Sequence, residues 1–159
     1  MVTREECAVA AYLMTALDLT LAPPRSAREQ LAGYCFLPRT IDKARALLPG
    51  GAIGAYHMEG ASADLLAALG IRTDEFCAAV GQAVSEADLL AWIQAHGDCT
   101  NAERFNAGKL GARIGDVLPH QAAGFRAEHP ALSSDEIDRF VDALDADDSR
   151  CFTTFASGL

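Results

Sequence analysis

Helix-start signals, each followed by a short apolar stripe, recur along this chain and constrain its fold more than any other feature. Ser62 precedes Leu65, Leu66 and Leu69, with Gly70 after them; Thr73 opens a segment reaching about Gln82. Ser85 and Asp88 open the run SEADLLAWIQAHG, in which Leu89, Trp92 and Ile93 face inward, Leu90 flanks them and Gly97 is the stop. A hydroxyl or carboxylate oxygen satisfies backbone N–H groups that a first turn leaves unpaired, and glycine suits the position just past a last turn. Thr100 and Glu103 have capping-box spacing ahead of a helix through Phe105 and Leu110, weakened by Gly108, Gly111 and Gly115. Residues 119–128 read as one more short helix before Pro130, and Ser133 with Glu136 caps the last, whose buried stripe is Ile137, Phe140, Val141 and Leu144. Short, closely connected helices of this kind predict one all-α domain over residues 1–159, each element covering its neighbour.

Two stretches depart from that pattern. Thr3 and Glu6 start an additional N-terminal helix over residues 3–17, with Val9, Tyr12, Leu13 and Leu17 as its apolar contacts, and Pro23 and Pro24 then exclude helix from the approach that follows it. The run PGGAIGAYHM after Leu48 carries one proline and three glycines and predicts an irregular loop with a short strand near residues 52–58.

Residues 25–48 join a helix-start signal to the densest cluster of cations. Ser26 and Glu29 have capping-box spacing, and Leu31, Tyr34, Leu37, Ile41, Ala44 and Leu48 recur at helical steps, so the expectation is a helix kinked or broken by Pro38 near Phe36 and Leu37. Arg25, Arg28, Arg39, Lys43 and Arg45 outnumber Glu29 and Asp42, a local balance of +3 in a chain of net charge −9. Guanidinium groups bind planar oxyanions through paired hydrogen bonds, which makes Arg25, Arg39, Asp42, Arg45 and Tyr34 candidate substrate-binding residues. His57, beside Tyr56 on the glycine-rich loop, is the candidate proton donor or acceptor, and Tyr56 is grouped with it as catalytic.

Length and composition narrow the classes. A chain of 159 residues, half of them hydrophobic, buries a substantial core without disulfides or a metal. The acidic balance argues against a general nucleic-acid binder. The apolar run over residues 7–17 is too short to span a membrane and follows Glu5 and Glu6, so neither a membrane segment nor an export signal is expected. Five widely spaced cysteines without a C-x-x-C pair fit a reducing, cytoplasmic setting. No hydrolase elbow, zinc-protease, Walker or dinucleotide motif is present, and no cofactor is expected. Cys35, on a segment with small neighbours, reads as packing rather than nucleophile. The acidic stretch with Asp142, Asp145, Asp147 and Asp148 lacks the ligand pattern of a calcium loop, so pairing with the basic segment 25–45 is expected in place of a metal.

Taken in order, the run PRSAREQLAGYCFLPRTIDKARALL, then GAYH, LGI, SEADLLAWI and RFVDALDADD, is similar to the uncharacterised family called domain of unknown function 5069. The resemblance runs from about residue 18 to 148 and is carried by Pro24, Arg25, Ser26, Gly33, Tyr34, Leu37, Arg39, Asp42, Lys43, Arg45, Tyr56, Gly70, Ile71, Trp92, Leu144, Asp145, Asp147 and Asp148. It implies a single helical fold and the basic cluster, and brings no established reaction. The segment HMEGASADLL after Tyr56 departs from the family's pattern, and the N-terminal helix is an addition to it.

These observations lead to the expectation of a small-molecule-binding helical protein, acting as an acid/base enzyme of isomerase, lyase or cyclase type on a small anionic or carbonyl-bearing substrate. The alternative is a noncatalytic interaction module using its helical surface and acidic C-terminal helix. Self-association to a homo-oligomer through the N-terminal helix is a third reading. An enclosed pocket at the basic segment and GAYH loop separates the first from the second.

Overall fold

Four consecutive residues, Tyr34, Cys35, Phe36 and Leu37, are almost completely buried, which no helix with one apolar face can achieve, and the fold follows from how the chain solves this. A computed structural model describes residues 14–117, 123 and 138–153. In it the expected helix over residues 25–48 is replaced by a small antiparallel hairpin, β1 (Gln30–Leu31) and β2 (Tyr34–Cys35), leading into helix α1 (Leu37–Ala46). The two-residue turn places both Ala32 (φ 50°) and Gly33 (φ 81°) in the left-handed region, the turn geometry whose twist matches a hairpin. The Ser26–Glu29 capping box does not form. Ser26 Oγ instead accepts the Arg28 N–H at 3.2 Å and donates to Asp145 Oδ1 at 2.7 Å, while the Phe36 N–H reaches back to the Ala27 carbonyl at 3.0 Å.

Pro38 does not kink a helix; it sits in the first turn of one, where its missing N–H would have had no partner. Phe36, at φ 65°, turns the chain from hairpin into helix. Of the ten residues of α1, nine are buried, among them Arg39, Thr40, Asp42 and Lys43. A helix enclosed on all sides yet carrying charges must pair them internally. This requirement organises the site.

The remaining helices largely follow their local signals. Helix α2 (Ala61–Leu69) ends at Gly70 (φ 68°), where the Ile71 N–H reaches the Leu66 carbonyl at 2.9 Å and the Gly70 N–H reaches Ala67, the Schellman pattern that glycine permits. Its first residue is Ala61, so Ser62 is no cap but a buried residue of the first turn. Helix α3 (Thr73–Gln82) buries Phe76, Ala79 and Val80. Helix α4 (Glu86–His96) is capped by Ser85 Oγ, which accepts the Asp88 N–H at 3.1 Å while Asp88 accepts the Val84 N–H at 3.2 Å. Helix α5 (Ala102–Gly111) follows Asn101 rather than Thr100, because Asp98 holds the Thr100 N–H at 3.0 Å in a turn of its own.

Helix α6 (Ile114–Val117) and helix α7 (Phe140–Thr153) are tied by a bridge between Arg113 and Arg139. The expected helix at residues 119–128 and the Ser133–Glu136 cap lie outside the described residues, apart from Ala123, which is helical. So does most of the N-terminal helix, whose described end, residues 14–17, is turn, bend and irregular chain. In place of a strand over residues 52–58 there is a single parallel bridge between Asp18 and Ala52.

Helix α1 packs against α2, α3 and β1, and α7 lies against α5 and α6. The core joins Phe36, Leu37 and Ile41 of the central segment to Leu65, Leu66, Leu69, Phe76, Val80, Leu89, Ile93 and Val141. At roughly 1.5–3 kcal/mol per fully buried large side chain, this contiguous cluster is what offsets enclosing a charged helix. Among the described residues no helix is long and apolar enough to cross a membrane.

Candidate functional site

Arg39 and Lys43 stand one turn apart on α1 and point the same way, toward a cavity of about 800 Å³ bounded by the loop after α1, the start of α2, and α7. Arg39 is 3% exposed. Its Nη1 donates to Asp148 Oδ2 at 2.7 Å and to the Arg25 carbonyl at 3.3 Å, and its Nη2 donates to Asp148 Oδ1 at 3.3 Å. The Tyr56 hydroxyl donates to Asp148 Oδ1 at 2.6 Å, and the Tyr56 ring lies 5.4 Å from the guanidinium carbon. Burial and the neighbouring Asp148 carboxylate both push the Tyr56 phenol up, so it stays a donor.

Lys43 has a different environment. It is 8% exposed, and among the described residues its Nζ meets a single hydroxyl, Ser62 Oγ, at 3.2 Å. Thr40 Oγ1 lies 3.0 Å from the same oxygen and 2.8 Å from the Phe36 carbonyl. A threonine has one hydroxyl hydrogen, which the Phe36 carbonyl takes; Ser62 then donates to Thr40, leaving its lone pairs for Lys43. The chain of donors therefore begins at the lysine amine and ends on backbone. Burial first, and then repulsion by Arg39, bring the amine down to about 8, partly offset by Asp148 and Glu59.

Leu19, Phe36, Phe140, Leu144 and Phe152 supply the apolar part of the lining. His57 and Glu59 line it as well, joined at 3.2 Å, but their side chains are 67% and 82% exposed, which puts them at its mouth. On another part of the lining Lys109 pairs with Asp64 and lies 5.9 Å from the centre of the Phe105 ring.

Of the residues singled out in the sequence, Arg39, Tyr56 and His57 line the cavity, whereas Arg25, Tyr34, Asp42 and Arg45 are not among its lining residues. Arg25 grips Asp42 through its backbone N–H at 2.8 Å and its guanidinium at 2.9–3.2 Å, and also meets Glu86 at 2.8 Å. Arg45 donates to the Thr15 carbonyl at 2.8 Å and stands 4.0 Å from Asp42. Tyr34 is a core residue whose hydroxyl lies 2.7 Å from Asn101 Oδ1 and 3.1 Å from the Asp98 carbonyl. The acidic helix does meet the basic segment: Arg28 pairs with Asp142 and Asp145, and Arg39 with Asp148. Because α7 continues to Thr153, Asp145 and Asp148 are mid-helix residues that brace α7 against the chain before and within α1.

Lys43, Ser62 and Asp148 are site residues that the sequence reading did not place there. The available signal for Lys43 was its position one turn beyond Arg39, together with its rarity, since lysine occurs twice in the chain. Among the described residues no three His, Cys, Asp or Glu side chains converge as a metal centre requires. Cys35 is buried, which pushes its thiol up and away from nucleophilic use.

No curated protein sequence matches the chain. A family model described as a domain of unknown function, DUF5069, matches residues 21–150, a span that holds the hairpin, helices α1–α6 and the paired part of α7. The chain belongs to this DUF5069 family of domains of unknown function.

Proposed function

We propose that the chain binds a small carbonyl-bearing molecule in the cavity beside α1 and acts on it by acid/base chemistry of isomerase, lyase or cyclase type. The observation that carries this reading is the Lys43 amine, buried at the cavity wall against one hydroxyl. A lysine in water is almost wholly protonated near neutral pH; brought down to about 8, it supplies both a base and an acid in the working range. Arg39 already has its guanidinium on Asp148, which favours a carbonyl-bearing ligand over a simple anion as the occupant. Tyr56 holds Asp148 in place by its short hydrogen bond, and His57 at the mouth can exchange protons with solvent. Four described cysteines without disulfides support a reducing, cytoplasmic setting.

The interaction-module reading has less support. The large exposed hydrophobics among the described residues are three, Leu21, Leu47 and Val84, few for a docking surface. A thermal-shift screen of aldehydes, ketones and carboxylates tests the proposal. Carbonyl compounds that raise the melting temperature of the native chain but not of Lys43→Met support it. Ligands that stabilise both forms equally, or none that stabilise the native chain, remove it.

A further inference from the structure

The chain has two lysines in 159 residues, Lys43 and Lys109, and both line the same cavity. Their surroundings are opposite. Lys109 is held by the Asp64 carboxylate, and its amine lies over the Phe105 ring. Among the described residues Lys43 has no carboxylate within ion-pair distance and its amine meets Ser62 Oγ alone, so a lone pair can face the cavity once a proton has left. The charged groups that act on it are Arg39, Asp148 and Glu59, and the first two are locked together in their own pair. A buried amine with one neutral partner, next to a largely apolar space, is poorly arranged to anchor a structure and well arranged to attack an electrophile.

We infer that Lys43 is a nucleophile that condenses with an aldehyde or ketone in this cavity to form an imine. The inference deepens the proposed function and rests on it, since the carbonyl compound must first occupy the cavity. The nitrogen lone pair adds to the carbonyl carbon, the C–O π pair moves to oxygen, and a proton passes from nitrogen to that oxygen, directly or across Ser62 Oγ. The hydroxyl then leaves as water with the second N–H proton, and the C=N bond forms. Once protonated, the imine carries the single positive charge that the ammonium carried, so the pair of Arg39 and Asp148 needs no rearrangement to accept it. The iminium withdraws electrons from the neighbouring carbon, which is the chemistry that isomerases and lyases acting beside a carbonyl require.

The test uses the native chain, naphthaldehyde as an apolar carbonyl probe, and sodium cyanoborohydride as hydride donor to reduce any imine to a stable secondary amine. Labelled peptides are then quantified by mass spectrometry. With two lysines in the chain, Lys109 is the internal comparison in the same cavity. The expected result is labelling of Lys43 faster than Lys109 by about ten-fold or more, and saturating in aldehyde. Labelling of Lys43 no faster than Lys109, or without saturation, overturns the inference. Naphthylmethanol, which has the same body and cannot form an imine, separates this failure from that of the parent reading. If the alcohol raises the melting temperature while Lys43 stays unlabelled, the cavity binds ligand and the imine is wrong; if the alcohol does not bind and nothing is labelled, both fall. Because the rates are read on the native chain, the result does not depend on a variant that folds.

Discussion

Removing the Asp148 carboxylate should destabilise this protein far more than removing any of its surface ion pairs. In Asp148→Ala, Arg39 keeps a guanidinium that is 3% exposed, with the Arg25 carbonyl at 3.3 Å as its remaining hydrogen-bond acceptor among the described residues, and Tyr56 loses the acceptor at 2.6 Å. Truncating one side of a buried, hydrogen-bonded ion pair costs about 3–5 kcal/mol, mostly for the charge left unpaired. For a chain of this size that corresponds to a fall of about 6–20 °C in melting temperature. Arg28→Ala is the control, since it also removes contacts to α7, those with Asp142 and Asp145, but its side chain is 43% exposed. Exposed pairs of that kind contribute about 0–1 kcal/mol. Urea unfolding with an unchanged m-value measures both. Replacing both partners, Arg39→Met with Asp148→Leu, should cost less than Asp148→Ala alone, because no charge is left buried. Equal losses in Asp148→Ala and Arg28→Ala, or a double variant as unstable as the sum of the two single ones, would refute this account of α1.

The pH dependence of Lys43 runs in a defined direction. Its folded value near 8 lies below the ordinary lysine value of about 10.4, so up to about pH 8 the fold bears the full cost of the buried charge, about 3 kcal/mol. From about pH 8 to 10.4 the unfolded chain holds a proton that the folded chain has released, and this contribution to stability rises with pH. Lys43→Met should therefore be more stable than the native chain at pH ~7 by up to about 3 kcal/mol, with the advantage shrinking to nothing by pH ~10.4; denaturant melts at matched pH read the difference, and a pH-independent difference would be inconsistent with it. Tyr56→Phe should lose about 1.5–3 kcal/mol through its hydrogen bond to Asp148, whereas His57→Ala should stay within about 0.5 kcal/mol of the native chain, so that any loss of activity in it is not a folding defect. Gly51→Ala would place a methyl group 2.5 Å from the Ala46 carbonyl oxygen and should cost about 1–3 kcal/mol, while Gly108→Ala, with open space around it inside α5, should add about 0.5–1 kcal/mol. Thermal melts of the two alanine variants moving in the same direction would count against the packing described for Gly51.

What the sequence determined by itself were the elements whose causes are local. Ser85 caps α4 and Gly70 stops α2, because a hydroxyl beside orphan N–H groups or a glycine free to turn left-handed acts within a few residues, and α3 spans Thr73–Gln82 with Glu75 accepting the Arg72 N–H at its start in place of a hydroxyl cap. The all-α character and the attraction between the basic segment and the acidic helix were legible for the same kind of reason, from periodicity and from charge sign. Tertiary structure decided the rest. Ser26 and Glu29 have a capping box's spacing, but burying Tyr34, Cys35, Phe36 and Leu37 together outweighs one cap, and the segment becomes a hairpin. Of five clustered cations, Arg25, Arg28 and Arg45 became struts while Arg39 and Lys43 faced a cavity. No local pattern distinguishes them. A buried charge is tolerated where its partner is, and the partner of Arg39 arrives from 109 residues away on α7, whereas Lys43 receives a hydroxyl from α2 in place of a carboxylate. Sequence order carries the list of charges; only packing decides which of them is left with something to do.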